Sequence, residues 1–115
     1  MPGTEIYYYT TTRGENPVLE FILSLETSQQ AKVRRLLLTI EKYGLDTVIP
    51  HIKKLTGTPL WELRIVGKDN LRILYVVPGK NCILALHGFI KKTQKTPEKE
   101  LSTALARFSG WKLRS

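Results

Sequence analysis

Cys82-Ile83-Leu84-Ala85-Leu86-His87-Gly88-Phe89-Ile90-Lys91-Lys92-Thr93-Gln94-Lys95-Thr96-Pro97 is a strand that ends in charge and then hands over to a helix. The apolar residues from Cys82 to Ile90 read as a strand. Thr96-Pro97 supplies a cap and a proline for the helix start, where a missing N–H costs nothing. Lys91, Lys92 and Lys95 lie between the two elements. An ammonium is expensive to bury unpaired. These lysines therefore belong at a sheet edge, facing water or an anion.

Upstream, Leu71 to Val77 reads as the preceding strand, with Pro78-Gly79-Lys80-Asn81 as the turn between. Leu60 to Val66 alternates, with Trp61, Leu63 and Ile65 on one side and Leu60, Glu62 and Arg64 on the other. Gly67 to Asn70 closes that hairpin. Residues 45–59, punctuated by Pro50, Gly57 and Pro59, read as loop and carry His51, Lys53 and Lys54. Further back, Val33, Leu36, Leu37 and Ile40 recur at helical spacing within 29–43, after a cap at Thr27 or Ser28 and before a terminating Gly44. Asn16-Pro17 starts a helix over 17–26, and Glu5 to Thr11 reads as a first strand. Downstream, Leu101, Ala104, Leu105 and Phe108 give the last helix a core face, while residues 110–115 are left unassigned.

The order β-α-α-β-β-β-α predicts an α+β fold: a four-stranded, mainly antiparallel sheet with an N-terminal helical hairpin and a C-terminal helix on one face. The other face is expected to stay partly open. A length of 115 residues suits one domain, 1–115. The hydrophobic fraction of 42% fits an ordinary globular protein. A lone Cys82 excludes an internal disulfide and any CxxC metal site, and points to an intracellular, cytosolic protein. No apolar run approaches the ~20 residues of a membrane span.

The formal charge of +8 is uneven. Residues 1–50 hold five basic and six acidic side chains, whereas residues 51–115 hold thirteen and four. The C-terminal half is where a polyanion is drawn. Arg64 and Arg72 have the fork that grips phosphate and stays charged at working pH, or one of them pairs with Glu62 across the strands. Lys91 and Lys92 are adjacent and point to opposite faces of a regular strand, so at most one enters a given site unless the strand ends or bulges. They serve proton transfer there or only protect an edge from aggregation. His87, alternating with Ala85 and Phe89, reads as a satisfied half-buried side chain, and His51 as a loop residue in reach of RNA. Two such separated histidines make no metal set. Tyr7, Tyr8 and Tyr9 stack bases or, for at least one of them, fill the core. No Walker loop, GxGxxG, GxSxG or HExxH occurs.

Lys53-Lys54-Leu55, Leu60-Trp61-Glu62-Leu63-Arg64, Arg72-Ile73-Leu74-Tyr75 and Leu86 to Pro97 together resemble the HigB-type, often phage-derived branch of the RelE/ParE toxin superfamily. The resemblance implies a RelE-like fold and a ribosome-dependent mRNA endonuclease without a cofactor. It also implies a toxin–antitoxin hetero-oligomer with a HigA-like helix-turn-helix antitoxin. Relatives use basic residues rather than a metal, which implies Arg64, Lys91 and Lys92 as catalytic, Arg72 as catalytic or structural, and Lys53, Lys54 and Lys95 as RNA-binding, beside His51 of the basic loop. No tyrosine or histidine follows closely after the lysine pair, where several relatives place one, so the base stays open between Lys91 and Lys92. A ParE-like inhibitor of DNA gyrase and a non-catalytic RNA- or ribosome-binding module remain as alternatives.

Overall fold

The computed structural model describes residues 3–114. Five strands and three α-helices follow one another: β1 (Glu5–Tyr8), α1 (Pro17–Leu23), α2 (Thr27–Tyr43), β2 (Ile52–Lys54), β3 (Trp61–Ile65), β4 (Leu71–Gly79), β5 (Cys82–Ile90) and α3 (Glu98–Arg114). A 3-10 segment, Leu45–His51, links α2 to β2. The helix starts follow local chemistry. Asn16 Oδ1 accepts the Leu19 amide at 3.1 Å ahead of Pro17. The Glu26 amide donates to Gln29 Oε1 at 3.3 Å, so α2 begins slightly earlier than its hydrophobic spacing alone indicates. Gly44 ends α2 at φ 91°, a backbone angle that favours glycine.

The sheet order is β1-β5-β4-β3-β2. The meander β3-β4-β5 is antiparallel as expected. The α+β class holds, and two features alter the expected four-stranded, mainly antiparallel sheet. The stretch Ile52–Lys54, read as loop, pairs antiparallel with β3 and adds a fifth strand. β1 pairs with β5 in parallel, Glu5 opposite Cys82 and Tyr8 opposite Ala85, so the sheet is mixed.

The expectation that all helices share one face, leaving the other partly open, is also corrected. One core holds Val18, Ile22, Val33, Leu37 and Ile40 from α1 and α2 against Leu63, Ile65, Leu71, Ile73, Tyr75 and Ile83 of the sheet. A second, on the opposite face, packs Ala104, Leu101, Leu105 and Phe108 of α3 on Leu74, Val76, Leu84, Leu86 and Phe89. Covering both faces is why Leu71 to Val76 is buried without a break. Among the described residues, no helix is long and apolar enough to cross a membrane.

The β5 strand carries an extra residue. Tyr75 opposes Ala85 while Leu74 opposes His87, which leaves Leu86 unpaired as a bulge. Ala85 thus belongs to the first core, whereas Leu86 and Phe89 belong to the second. The expected alternation of His87 with Ala85 is broken at this point. His87 turns to α3, where Glu100 lies at 2.7 Å and Arg107 at 3.2 Å, a half-buried and satisfied position.

Candidate functional site: a cationic hollow at the strand exit

On the α3 face of the meander, Arg64 of β3 and Arg72 of β4 stand directly opposite each other. Like charges in that register repel. The nearby acid is Glu62, two residues before Arg64 on the same face and wholly buried. Its Oε1 lies 3.3 Å from Arg72 Nε and 3.7 Å from Lys91 Nζ. Its Oε2 accepts the Thr96 hydroxyl at 2.6 Å. The approach of Arg72 Nε to Oε1 lacks hydrogen-bond alignment, so that contact is an ion pair by distance alone. Arg72 also donates to the Leu71 carbonyl at 3.0 Å and is almost fully buried.

The bulge at Leu86 decides where Lys91 goes. Beyond it, His87 and Phe89 lie on the α3 face, opposite Leu74 and Arg72. The same period of two carries Lys91 to that face. β5 then stops at Ile90, and the Lys91 amide is held by the Asn70 carbonyl at 2.7 Å. With the strand ended, Lys92 no longer has to oppose its neighbour. Arg64, Arg72, Lys91 and Lys92 all line one hollow of about 440 Å³, together with Asn70, Thr93 and Gln94. Among the described residues, no acidic side chain lines it. Arg64 and Lys92 form no ion pair with any described carboxylate.

A second hollow of about 280 Å³ shares Lys91 and Gln94 and adds Lys53, Lys54, Lys95 and Thr96. Lys53 stands opposite Glu62 at the sheet edge. Lys54 donates to the Thr58 carbonyl, and its ammonium lies 5.8 Å from the centre of the Trp61 ring. The segment between the hollows is tied internally, with Thr93 Oγ1 donating to the Lys95 carbonyl at 2.6 Å. Thr96 gives its hydroxyl to Glu62, not to the start of α3, which corrects its reading as a helix cap.

His51 does not join this group. It is exposed and lines a different hollow, of about 450 Å³, with Lys32, Arg35 and Thr39 of α2 and with Ile65 and Val66, on the other face of the sheet. Nor do the tyrosines. Tyr8 packs into the first core, and Tyr9 into the second beneath the guanidiniums of Arg107 and Arg114. Tyr7 is exposed and donates to Glu5.

Glu62, read in the sequence as a cross-strand partner of an arginine, does pair with Arg72, and Thr96, read there as a helix cap, joins the site through Glu62. The signal for Glu62 was present: an acid in phase with buried Leu60 and with Arg64 on an alternating strand.

The first hollow is lined by four cations, two of them on the paired strands β3 and β4. It suits a phosphodiester: guanidiniums bind phosphate oxygens in pairs, and lysines nearby transfer protons. No curated protein matches the chain. The family model described as "Phage derived protein Gp49-like (DUF891)" matches residues 20–109, from α1 through most of α3 and across both hollows. The chain therefore belongs to the phage-derived Gp49-like family, RelE/HigB-like proteins associated with the toxins of toxin–antitoxin systems.

Proposed function

We propose that this protein is a HigB-like toxin that cleaves mRNA on the ribosome and is neutralised by a helix-turn-helix antitoxin. The observation that carries this reading is the convergence of Arg64, Arg72, Lys91 and Lys92, from three separate segments, on one hollow without an acidic lining. The reaction is attack of an RNA 2′-OH on its own 3′ phosphate. The 2′-O–P bond forms, the P–O5′ bond breaks, and a 2′,3′-cyclic phosphate and a free 5′-OH result. Arg64, with no ion pair to a carboxylate among the described residues, stabilises the charge that develops on the phosphorane oxygens. Of Lys91 and Lys92, one takes the 2′-OH proton and the other returns a proton to O5′. Arg72 fixes the floor. Lys53, Lys54 and Lys95 of the adjoining hollow hold the phosphates of the flanking strand.

The test is cleavage of ribosome-bound mRNA by the wild type and by Arg64→Ala. Cleavage that ends in a cyclic phosphate and disappears in the variant supports the reading. Gyrase-dependent DNA breakage without mRNA cleavage replaces it with a gyrase inhibitor. Ribosome binding without cleavage by the wild type replaces it with a binding module.

A further inference from the structure

We propose that Glu62 is a positioning residue: through Thr96 and Lys91 it fixes the segment 91–96, and with it the two lysines that serve the cleavage step. This inference rests on the endonuclease reading and names a part of the machinery outside the cationic set.

A carboxylate in a protein interior needs a reason. Glu62 is 0% exposed and stands opposite fully buried Leu74 on the α3 face. Burial of an ion cluster yields little net stability, because desolvation of each charge offsets the attraction between them. What the cluster does supply is geometry. One oxygen of Glu62 receives the Thr96 hydroxyl at 2.6 Å, and the other lies between Arg72 and Lys91. These contacts grip the segment at both ends, at Lys91 where β5 stops and at Thr96 just before α3. Between them lie Lys92, Thr93, Gln94 and Lys95, all exposed and all lining one hollow or the other. Apart from these ties, the described hydrogen bonds of the segment are the Lys91 amide to Asn70 and the Thr93 hydroxyl to Lys95.

The charge arithmetic divides the four cations. Glu62 lies within ion-pair distance of Arg72 and Lys91, and of neither Arg64 nor Lys92. Arg64 and Lys92 thus remain for the incoming phosphodiester, while Arg72 and Lys91 are held in place by the acid beneath. A residue that only positions lowers the rate of the chemical step and leaves ground-state binding intact. Removing this acid also raises the local positive charge by one, so binding of RNA is retained or strengthened.

The experiment compares single-turnover cleavage and equilibrium binding of ribosome–mRNA complexes for wild type, Glu62→Gln, Thr96→Val and Thr96→Ser. The expected result is a fall in the cleavage rate of about 10²-fold for Glu62→Gln and Thr96→Val, the penalty of misplacing a reacting group by about 1 Å. Dissociation constants stay equal or tighten. Thr96→Ser, which keeps the hydroxyl, restores the rate. Should Glu62→Gln fail to fold, Thr96→Val against Thr96→Ser carries the comparison, since both retain the buried acid. Loss of binding in proportion to loss of rate, or wild-type rates in both Glu62→Gln and Thr96→Val, overturns the inference while leaving the endonuclease reading intact. A wild type that binds but does not cleave overturns that reading, and this one with it.

Discussion

Arg107 donates to Nδ1 of His87 at 3.2 Å, and that contact fixes the imidazole's tautomer. A guanidinium can only donate, so Nδ1 is the acceptor and Nε2 carries the proton that it gives to Glu100 at 2.7 Å. A second proton would meet Arg107 head-on. Burial is the largest influence and lowers the His87 pKa below its ordinary 6.5; Glu100 pulls it back up, while Arg107 and Lys99 lower it further. Burial likewise lowers the Arg107 pKa, offset by Tyr9. The grip joins β5 to α3, and Arg107 strengthens it by donating to the Leu86 carbonyl at 2.9 Å.

The pH dependence of stability follows from that lowering. In the unfolded chain His87 takes a proton near 6.5, before the folded protein does. Its contribution is therefore complete above that value and is lost as pH falls toward the lower folded value. Melting temperatures measured from about pH 8 down to about pH 5, where histidine titrates, are expected to drop more steeply for wild type than for His87→Gln. Equal slopes would remove His87 from the account.

Arg64 and Arg72 face each other across the strands, yet their replacement is expected to act on different quantities. Arg64→Ala abolishes most cleavage, by about 10²- to 10³-fold for a lost charge stabiliser. Its stability changes by no more than about 0.5 kcal/mol, as for a residue outside any buried network. Arg72→Ala leaves Glu62 short of a partner and costs about 3 kcal/mol, the low end for breaking a buried pair, because Lys91 and Thr96 still reach the acid. Denaturant unfolding alongside cleavage assays separates the two. A large destabilisation in Arg64→Ala would return that residue to a structural role.

Salt should weaken RNA binding in steps that count phosphates. Lys53, Lys54, Lys92 and Lys95 are exposed along the two hollows. Each that meets a phosphate adds about 0.7 to the slope of log affinity against log salt for a single strand. Single alanine variants should flatten the slope by about that amount, measured by titration at several ionic strengths. A salt response unchanged by all four variants excludes the clamp.

Gly88 is a packing position with no room for a methyl group. A Cβ placed there would lie 2.9 Å from Phe21 Cγ and closer still to Cδ2. Gly88→Ala is expected to destabilise by about 1–3 kcal/mol, the usual penalty of overpacking. Phe21→Leu in the same chain should recover part of that loss, read from a double-mutant unfolding cycle. Additive losses would show that the ring is not the obstacle.

Much of this was legible in the residues, and the gaps have physical causes. Alternation over Trp61, Leu63 and Ile65 gave the faces of β3 correctly, because a half-buried strand writes its period into its side chains. The position of α3 was missed, although the unbroken apolar run Ile73 to Val77 was the mark of a strand covered on both sides. β2 was hidden because three residues, two of them lysines, resemble a loop; charge and brevity are how an edge strand avoids stray pairing. The parallel direction of β1 leaves no local trace at all. The bulge at Leu86 was equally silent, since an extra residue shows only against the partner strand. Yet it decides which face receives Lys91. The arginines and lysines were readable as cations of the C-terminal half, and the structure brings four of them to one hollow. The acid beneath them was read only as an ion-pair partner, because its hold on Thr96 spans 34 residues of chain.

The pairing of Glu5 with Cys82 has a consequence in time. Synthesis is vectorial, from the amino end onward. β1 therefore waits as an orphan while α1, α2 and the strands β2 to β4 emerge, and the lysines after Ile90 and the closing helix come later still. Until Cys82 and the segment after Ile90 have been made, a nascent copy has neither a completed sheet edge nor an assembled hollow.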